Sequence, residues 1–157
     1  MSITRPLQRA DREPIRQLLL ETKVFTGEEI EIALELIDAA LDRPGQKDYL
    51  IYTHEDSGEV LGYYCVGPTP ATDSTFDLYW IATKPSEHGK GIGTSLDEHA
   101  TELIRSKGGR LIVAETSSRP EYGNTRKFYL SRGYAELARI RDYYRPGDDL
   151  VVYGKYL

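Results

Sequence analysis

The stretch that decides the fold is Tyr79-Trp80-Ile81-Ala82-Thr83-Lys84-Pro85 and, two residues on, His88-Gly89-Lys90-Gly91-Ile92-Gly93. Aromatic and β-branched residues run up to a proline, so Thr75 to Thr83 reads as a strand closed by Pro85. A helix follows from about Gly93-Thr94, with Leu96, Ala100, Leu103 and Ile104 as its apolar stripe. Asp97 and Glu98 fall in its first turn, where the helix dipole favours acids, and Gly108-Gly109 ends it. The turn between strand and helix carries the chemistry. A helix N-terminus has unpaired N–H groups and a partial positive charge. Glycines let an anion approach that backbone with no Cβ in the way. Lys90 adds charge, and the whole suits a pyrophosphate. A glycine-rich connection without a ligand uses the same letters. A Walker A loop is excluded, because no Gly-Lys-Ser/Thr closes the turn. A Rossmann fingerprint fits poorly: it belongs after the first strand, and residue 96 is Leu where its third glycine belongs.

Upstream, Ile3 to Leu7 reads as a first strand. Asp11 reads as an N-cap with Pro14 in the first turn, followed by Ile15, Leu18 and Leu19 at helical spacing. Thr26 and Glu29 form a capping box for a second helix with Ile30, Leu34 and Ile37 inward, ended by Pro44-Gly45. Tyr49 to Thr53 and Val60 to Val66 are strands around an Asp56-Ser57-Gly58 turn. Downstream, Arg110 to Thr116 is a buried strand and Asn124 to Arg132 a short helix capped by Gly133. Ala135 to Arg141 and Leu150 to Tyr156 are final strands joined through Pro146-Gly147. The order β-α-α-β-β-β-α-β-α-β-β predicts one α/β (α+β) domain over residues 1–157, a mixed sheet flanked by helices.

Composition narrows the function. A chain of 157 residues with 39% hydrophobic and 29% charged residues has the profile of one soluble domain. No apolar run is long enough to span a bilayer. The N-terminal segment lacks a signal peptide's apolar stretch, and one cysteine, Cys65, allows no internal disulfide; both point to the cytoplasm. The net charge of −5 argues against nucleic-acid binding and is compatible with a cationic or amine substrate. The 12 tyrosines serve either as core residues with one wet end or as the lining of an amine pocket. His54 and His99 read as surface residues and form no metal-ligand spacing with Cys65, so no metal is expected.

Two motifs together resemble the GNAT superfamily of N-acetyltransferases. The superfamily's motif A is a strand, then Gln/Arg-x-x-Gly-x-Gly/Ala, then a helix, and it falls here on His88 to Gly93. Its motif B commonly ends in Phe-Tyr-x-x-x-Gly-Phe/Tyr, which reads Phe128-Tyr129-Leu130-Ser131-Arg132-Gly133-Tyr134 here. The separation of the motifs and the element order also match. The chain departs from the pattern in two places. His88 stands where Gln or Arg is usual. Tyr122 and Thr125 occupy the places of an Asn-x-x-Ala lead-in, with Asn124 offset from it.

The resemblance implies a GNAT-type mixed, mostly antiparallel central sheet, splayed between two strands and flanked by helices. It implies acetyl-CoA as co-substrate and an acetyl group passed to a primary amine of a small molecule or peptide. By position, backbone groups of Ile81, Ala82 and Thr83 hold the pantetheine arm. His88, Gly89, Lys90, Gly91, Ile92, Gly93 and Thr94 hold the pyrophosphate, with Asn124 as a further cofactor contact. Tyr129 sits where many members place a general acid; otherwise it is a core tyrosine like Phe128. Glu115 matches the strand glutamate of ribosomal-protein N-terminal acetyltransferases, and Asp77 the histone-acetyltransferase base. Each has the plain alternative of a structural or solvated carboxylate, and Glu115 ranks first. Tyr143 and Tyr144 resemble a tyrosine hairpin that walls the substrate in some N-terminal peptide acetyltransferases, and Phe25 is a second candidate wall residue. Competing functions are transfer of a longer acyl group, a non-catalytic acetyl-CoA-binding regulatory module and acetylation of aminoacyl-tRNA, the last disfavoured by the acidic charge. The final strands are candidates for pairing in a homodimer.

Overall fold

The alternation of apolar residues in Thr75–Thr83 breaks at Tyr79, and the sheet shows why. The computed structural model describes residues 1–157. Its elements are β1 (Ser2–Pro6), α1 (Arg12–Thr22), α2 (Gly27–Asp42), β2 (Leu50–Asp56), β3 (Glu59–Pro68), β4 (Thr75–Thr83), α3 (Ile92–Ser106), β5 (Leu111–Ser117), α4 (Gly123–Ser131), β6 (Ala135–Arg145) and β7 (Asp148–Tyr156). One sheet takes the order β1-β2-β3-β4-β5-β7-β6. Every neighbouring pair is antiparallel except β4 and β5. In β4, Trp80 faces Cys65 across the ladder but Leu78 faces Val66, so Tyr79 is an extra residue, a β-bulge. A one-residue slip exchanges the faces of a strand. Phe76 and Leu78 therefore pack into one core, whereas Trp80 and Ala82 join the other.

The two cores lie on opposite faces of the sheet. One holds α3 and α4 against β3, β4, β5 and β7, with Leu96, Ile104, Tyr64 and Val151 at its centre. The other holds α1 and α2 against β2, β3 and β4. No residue of β5, β6 or β7 belongs to this second core, so that face of the sheet is left without a helix beyond β4. Leu137 and Ile140 lie exposed on β6 as a result.

Local signals explain most element ends. Ser57 and Gly58 both adopt positive φ, making the two-residue turn between β2 and β3. The Thr26–Glu29 capping box forms as expected, with Thr26 N bonding Glu29 Oε1 at 2.9 Å and Glu29 N bonding Thr26 Oγ1 at 3.1 Å. Three expectations need correction. Asp11 caps no N–H of α1. Its buried carboxylate accepts from Gln8 N at 2.8 Å and pairs with Arg5, because it closes a 3-10 turn ahead of the helix. Asp97 is 1% exposed rather than a solvated first-turn acid. It accepts from Arg132 Nε at 3.0 Å, Tyr134 Oη at 3.0 Å and Lys155 Nζ at 2.8 Å, and so ties α3 to the end of α4 and to β7. His54 is buried beside Thr4 and His99 is half-buried against Tyr64, so neither is a surface histidine.

Candidate active site

The glycine turn is built from backbone. Gly89 and Gly91 have φ of 82° and 83°, a region that disfavours any residue with a Cβ. A Cβ at either would meet nothing within 4 Å, so the space over both is open. Gly91 is the N-cap of α3, which begins one to two residues earlier than its sequence signals suggest. The first bond of the helix runs from Ser95 N to Gly91 O at 3.0 Å. The amides of Ile92, Gly93 and Thr94 therefore have no helical acceptor. Gly93 has a different reason: a Cβ there would lie 3.0 Å from Phe128 Cε1, so its absence lets α3 sit close on α4. Lys90 is exposed and paired with Glu87 at 2.9 Å, which offsets its charge, and His88 is exposed. Free amides, open space and a helix dipole fit a pyrophosphate; the side chains add little to that fit.

Beside the turn the sheet opens. β4 and β5 pair only at Thr75–Leu111, Phe76–Ile112 and Asp77–Val113. Beyond Asp77, β4 stays on β3 as far as Thr83 and β5 stays on β7 as far as Ser117, with no ladder between them. The edge of β4 that carries Ile81, Ala82 and Thr83 is thus free on its β5 side.

The proposed acid and bases sit differently around this gap. Tyr129 on α4 is buried in the α3–α4 core, ringed by Tyr134 at 5.2 Å and Tyr153 at 5.5 Å. Its hydroxyl bonds no group of the chain, yet the two fully buried side-chain oxygens without a partner are Tyr63 Oη and Thr116 Oγ1, so the Tyr129 oxygen touches accessible space. Burial, then the Asp97 and Tyr153 charges, push its pKa well above the usual tyrosine value. Glu115 lies on the other face of β5: Ala114 points into the α3–α4 core, and Glu115 pairs across the ladder with Val152 on the helix-free face. Glu115 is exposed and has no ion-pair partner within the chain. Asp77 belongs to the last bonded pair before the strands part and accepts a hydrogen bond from Thr69 Oγ1 at 2.8 Å. Tyr143 and Tyr144 are exposed on the β6–β7 hairpin, edge to face at 5.0 Å. Partial burial first, and then the Glu115 carboxylate, raise the Tyr144 pKa. Asn124 is exposed in the first turn of α4.

Three rings cross the gap on the α1–α2 side. Trp80 on β4 meets Phe25 at 5.0 Å, and Phe25 meets Tyr122 at 6.1 Å, in the connection after β5. Tyr122 Oη donates to Glu29 Oε2 at 2.7 Å, and Arg119 lies over the Tyr122 ring at 5.2 Å. Arg119 also reaches Glu29 at 3.8 Å and Asp148 at 3.5 Å, so one guanidinium ties α2, the β5–α4 connection and β7. Phe25, a candidate for the substrate wall or for the core, packs against the α1–α2 core, and its neighbours Trp80, Glu29, Arg119 and Tyr122 were not named as candidates from the sequence. Glu29 read only as a cap and Tyr122 only as a departure from a motif. No group of three or more His, Cys, Asp or Glu side chains is placed to hold a metal ion. No helix is long and apolar enough to cross a membrane.

A free strand edge beside a glycine cradle at a helix N-terminus, in a sheet parted between parallel neighbours, is the architecture of an acyl-transferring enzyme. Residues 46–136 match the family described as acetyltransferase (GNAT) domain. The crystal structure of a Desulfovibrio desulfuricans protein assigned to the GNAT family of acetyltransferases is 36% identical, covers 99% of both chains and superposes with a TM-score of 0.93. The chain belongs to the GNAT acetyltransferase family. More distant structures share the fold. The ribosomal-protein-S18-alanine N-acetyltransferase of Escherichia coli has a TM-score of 0.78 at 17% identity, over 99% of this chain and 94% of that one. The PaiA N-acetyltransferase of Thermoplasma acidophilum, in complex with coenzyme A, has a TM-score of 0.73 at 18% identity, over 100% and 99%. No curated protein matches the chain by sequence.

Proposed function

We propose that the protein is an acetyl-CoA-dependent N-acetyltransferase acting on a primary amine of a small molecule or a peptide. The observation that carries this reading is the placement of Glu115 and Tyr129 on opposite faces of β5, beside a strand edge that the glycine cradle abuts. When bound, acetyl-CoA supplies a thioester carbonyl open to attack by an uncharged amine. The amides of Ile92, Gly93 and Thr94, with the open backbone at Gly89 and Gly91, would hold its pyrophosphate, and the free β4 edge at Ile81 to Thr83 would orient the pantetheine. The amine comes over the helix-free face, where the Glu115 carboxylate accepts its proton. Asp77 ranks second, since it lies where the strands are still paired and already holds Thr69. Tyr129 stays protonated at any working pH because burial holds its proton. It serves as the proton donor to the departing sulfur.

Family membership and the acidic net charge support transfer to an amine, and the coenzyme A complex of a structural relative supports the co-substrate. The cytoplasm is the matching compartment for a chain whose single cysteine, Cys65, forms no disulfide. The exposed edge strand β6 is the surface offered to a second copy in a homodimer. The test is release of free coenzyme A thiol against a panel of amines and peptides, with Tyr129→Phe and Glu115→Gln as controls. Turnover of one amine that falls in both variants supports the assignment. Full activity in both removes these residues from the chemistry.

A further inference from the structure

The ring bridge Trp80–Phe25–Tyr122 is held by polar contacts as well as by packing. The Tyr122 hydroxyl is fixed by Glu29, and Glu29 is itself fixed by Thr26 N at 2.9 Å. The connection that carries Tyr122 is held from below by Arg126 Nη1, which donates to Ser117 O at 2.8 Å and Arg119 O at 2.9 Å. Arg119 braces it from the side, and the ring of Tyr122 is 6% exposed. By spacing from Phe128, this is the place where motif B of the family often has asparagine, a much smaller side chain. Here the hydroxyl turns to α2, and the ring fills space on the α1–α2 side of the parted strands.

We propose that Tyr122, held by Glu29 and Arg119, is a specificity-determining residue that closes the α2 side of the cleft. This role rests on the acetyl-transfer reading above. With that side closed, the acceptor reaches the gap only over β5 and β7, past Glu115 and the Tyr143–Tyr144 hairpin. The acceptor is thus confined between a fixed ring wall and that hairpin, and a fixed wall lowers the entropy lost when it is ordered. Tyr122 touches neither reacting atom; it acts by holding Phe25 and by filling volume.

Trp80 is the chain's one tryptophan and ends the bridge, so its fluorescence reports on the bridge without any turnover. Acrylamide quenching of Trp80 is expected to rise at least about twofold in Tyr122→Asn, while the affinity for acetyl-CoA moves less than about threefold. The ratio of kcat/KM for tryptamine over that for n-propylamine is expected to rise at least about tenfold in the same variant. Tyr122→Phe, which keeps the ring and loses the bond to Glu29, should lie between wild type and Tyr122→Asn on both measures. If Tyr122→Asn fails to fold, Phe25→Leu removes the middle ring and should give the same two changes. Unchanged quenching overturns the bridge. An unchanged amine ratio with acetyl-CoA affinity weakened tenfold or more overturns the specificity role and assigns Tyr122 to the cofactor. If wild type acetylates no amine, the acetyl-transfer reading falls and takes the specificity role with it, while the quenching still decides whether the bridge is latched.

Discussion

The two banks of the gap between β4 and β5 are built from different materials. The bank formed by β4 and α3 is backbone: free amides at Ile92 to Thr94, an unpaired strand edge and two glycines at positive φ. The bank formed by β5, β7 and α2 is side chains: the exposed Glu115, and Arg119, Tyr122 and Glu29 joined to one another over long sequence distances. Backbone binds a phosphate through a local conformation that a few glycines fix. Side chains shape an acceptor pocket only where distant elements meet. The first bank suits a group common to many relatives, and the second suits one that varies among them.

Substitutions that act on one bank alone test this division. The largest effect is expected from Gly91→Val. A β-branched residue at φ 83° is strained, and its side chain fills the open space over the turn. Acetyl-CoA affinity should fall about 100-fold or more by calorimetry, roughly 2.7 kcal/mol, with the far-UV spectrum unchanged. Retained affinity would break the backbone account of the first bank. Next is Glu115→Gln, which should lower kcat by about 100-fold while acetyl-CoA affinity is unaltered. A change in cofactor affinity there would blur the two banks. Smaller again is Gly93→Ala, whose new methyl meets Phe128 and should cost about 1–2 kcal/mol in denaturant unfolding. Phe128→Leu in the same chain should recover part of that loss.

The smallest effect lies outside both banks, at His54. Burial lowers its pKa below 6.5 in the fold. As pH falls through the value of the unfolded chain, the unfolded state takes up a proton first. Stability from this residue is therefore full above about pH 6.5 and declines from there down to the folded pKa. Half-buried His99 is shifted in the same direction. The unfolding temperature should drop by about 2 °C from pH 7 to pH 5.5, and less in His54→Gln.

The first bank was legible in the sequence because its physics is local. Strand, glycines and helix follow one another from Thr75 to Ser106, and each letter acts within a few residues. The misreadings came where a side chain answers to a distant one. Asp97 looked like a first-turn acid because the dipole rule sees only its own helix; Lys155 and Arg132, which claim it, lie on other elements. Asp11 looked like a cap because Arg5, its partner from β1, is not signalled by any pattern. The Tyr79 bulge left no mark beyond an irregular alternation, although it decides that Trp80 faces Phe25. Tyr122 was visible as a departure from motif B, and its reason, Glu29, lies 93 residues away.

The central claim is that the turn from Gly89 to Thr94 binds the pyrophosphate of a coenzyme A thioester. Calorimetry with coenzyme A and, separately, with pantetheine tests it most directly, because the two share the thiol arm and only the first carries the pyrophosphate. Micromolar binding of coenzyme A with pantetheine at least about 100-fold weaker is the result expected. No heat with coenzyme A, or equal affinity for the two, would contradict it.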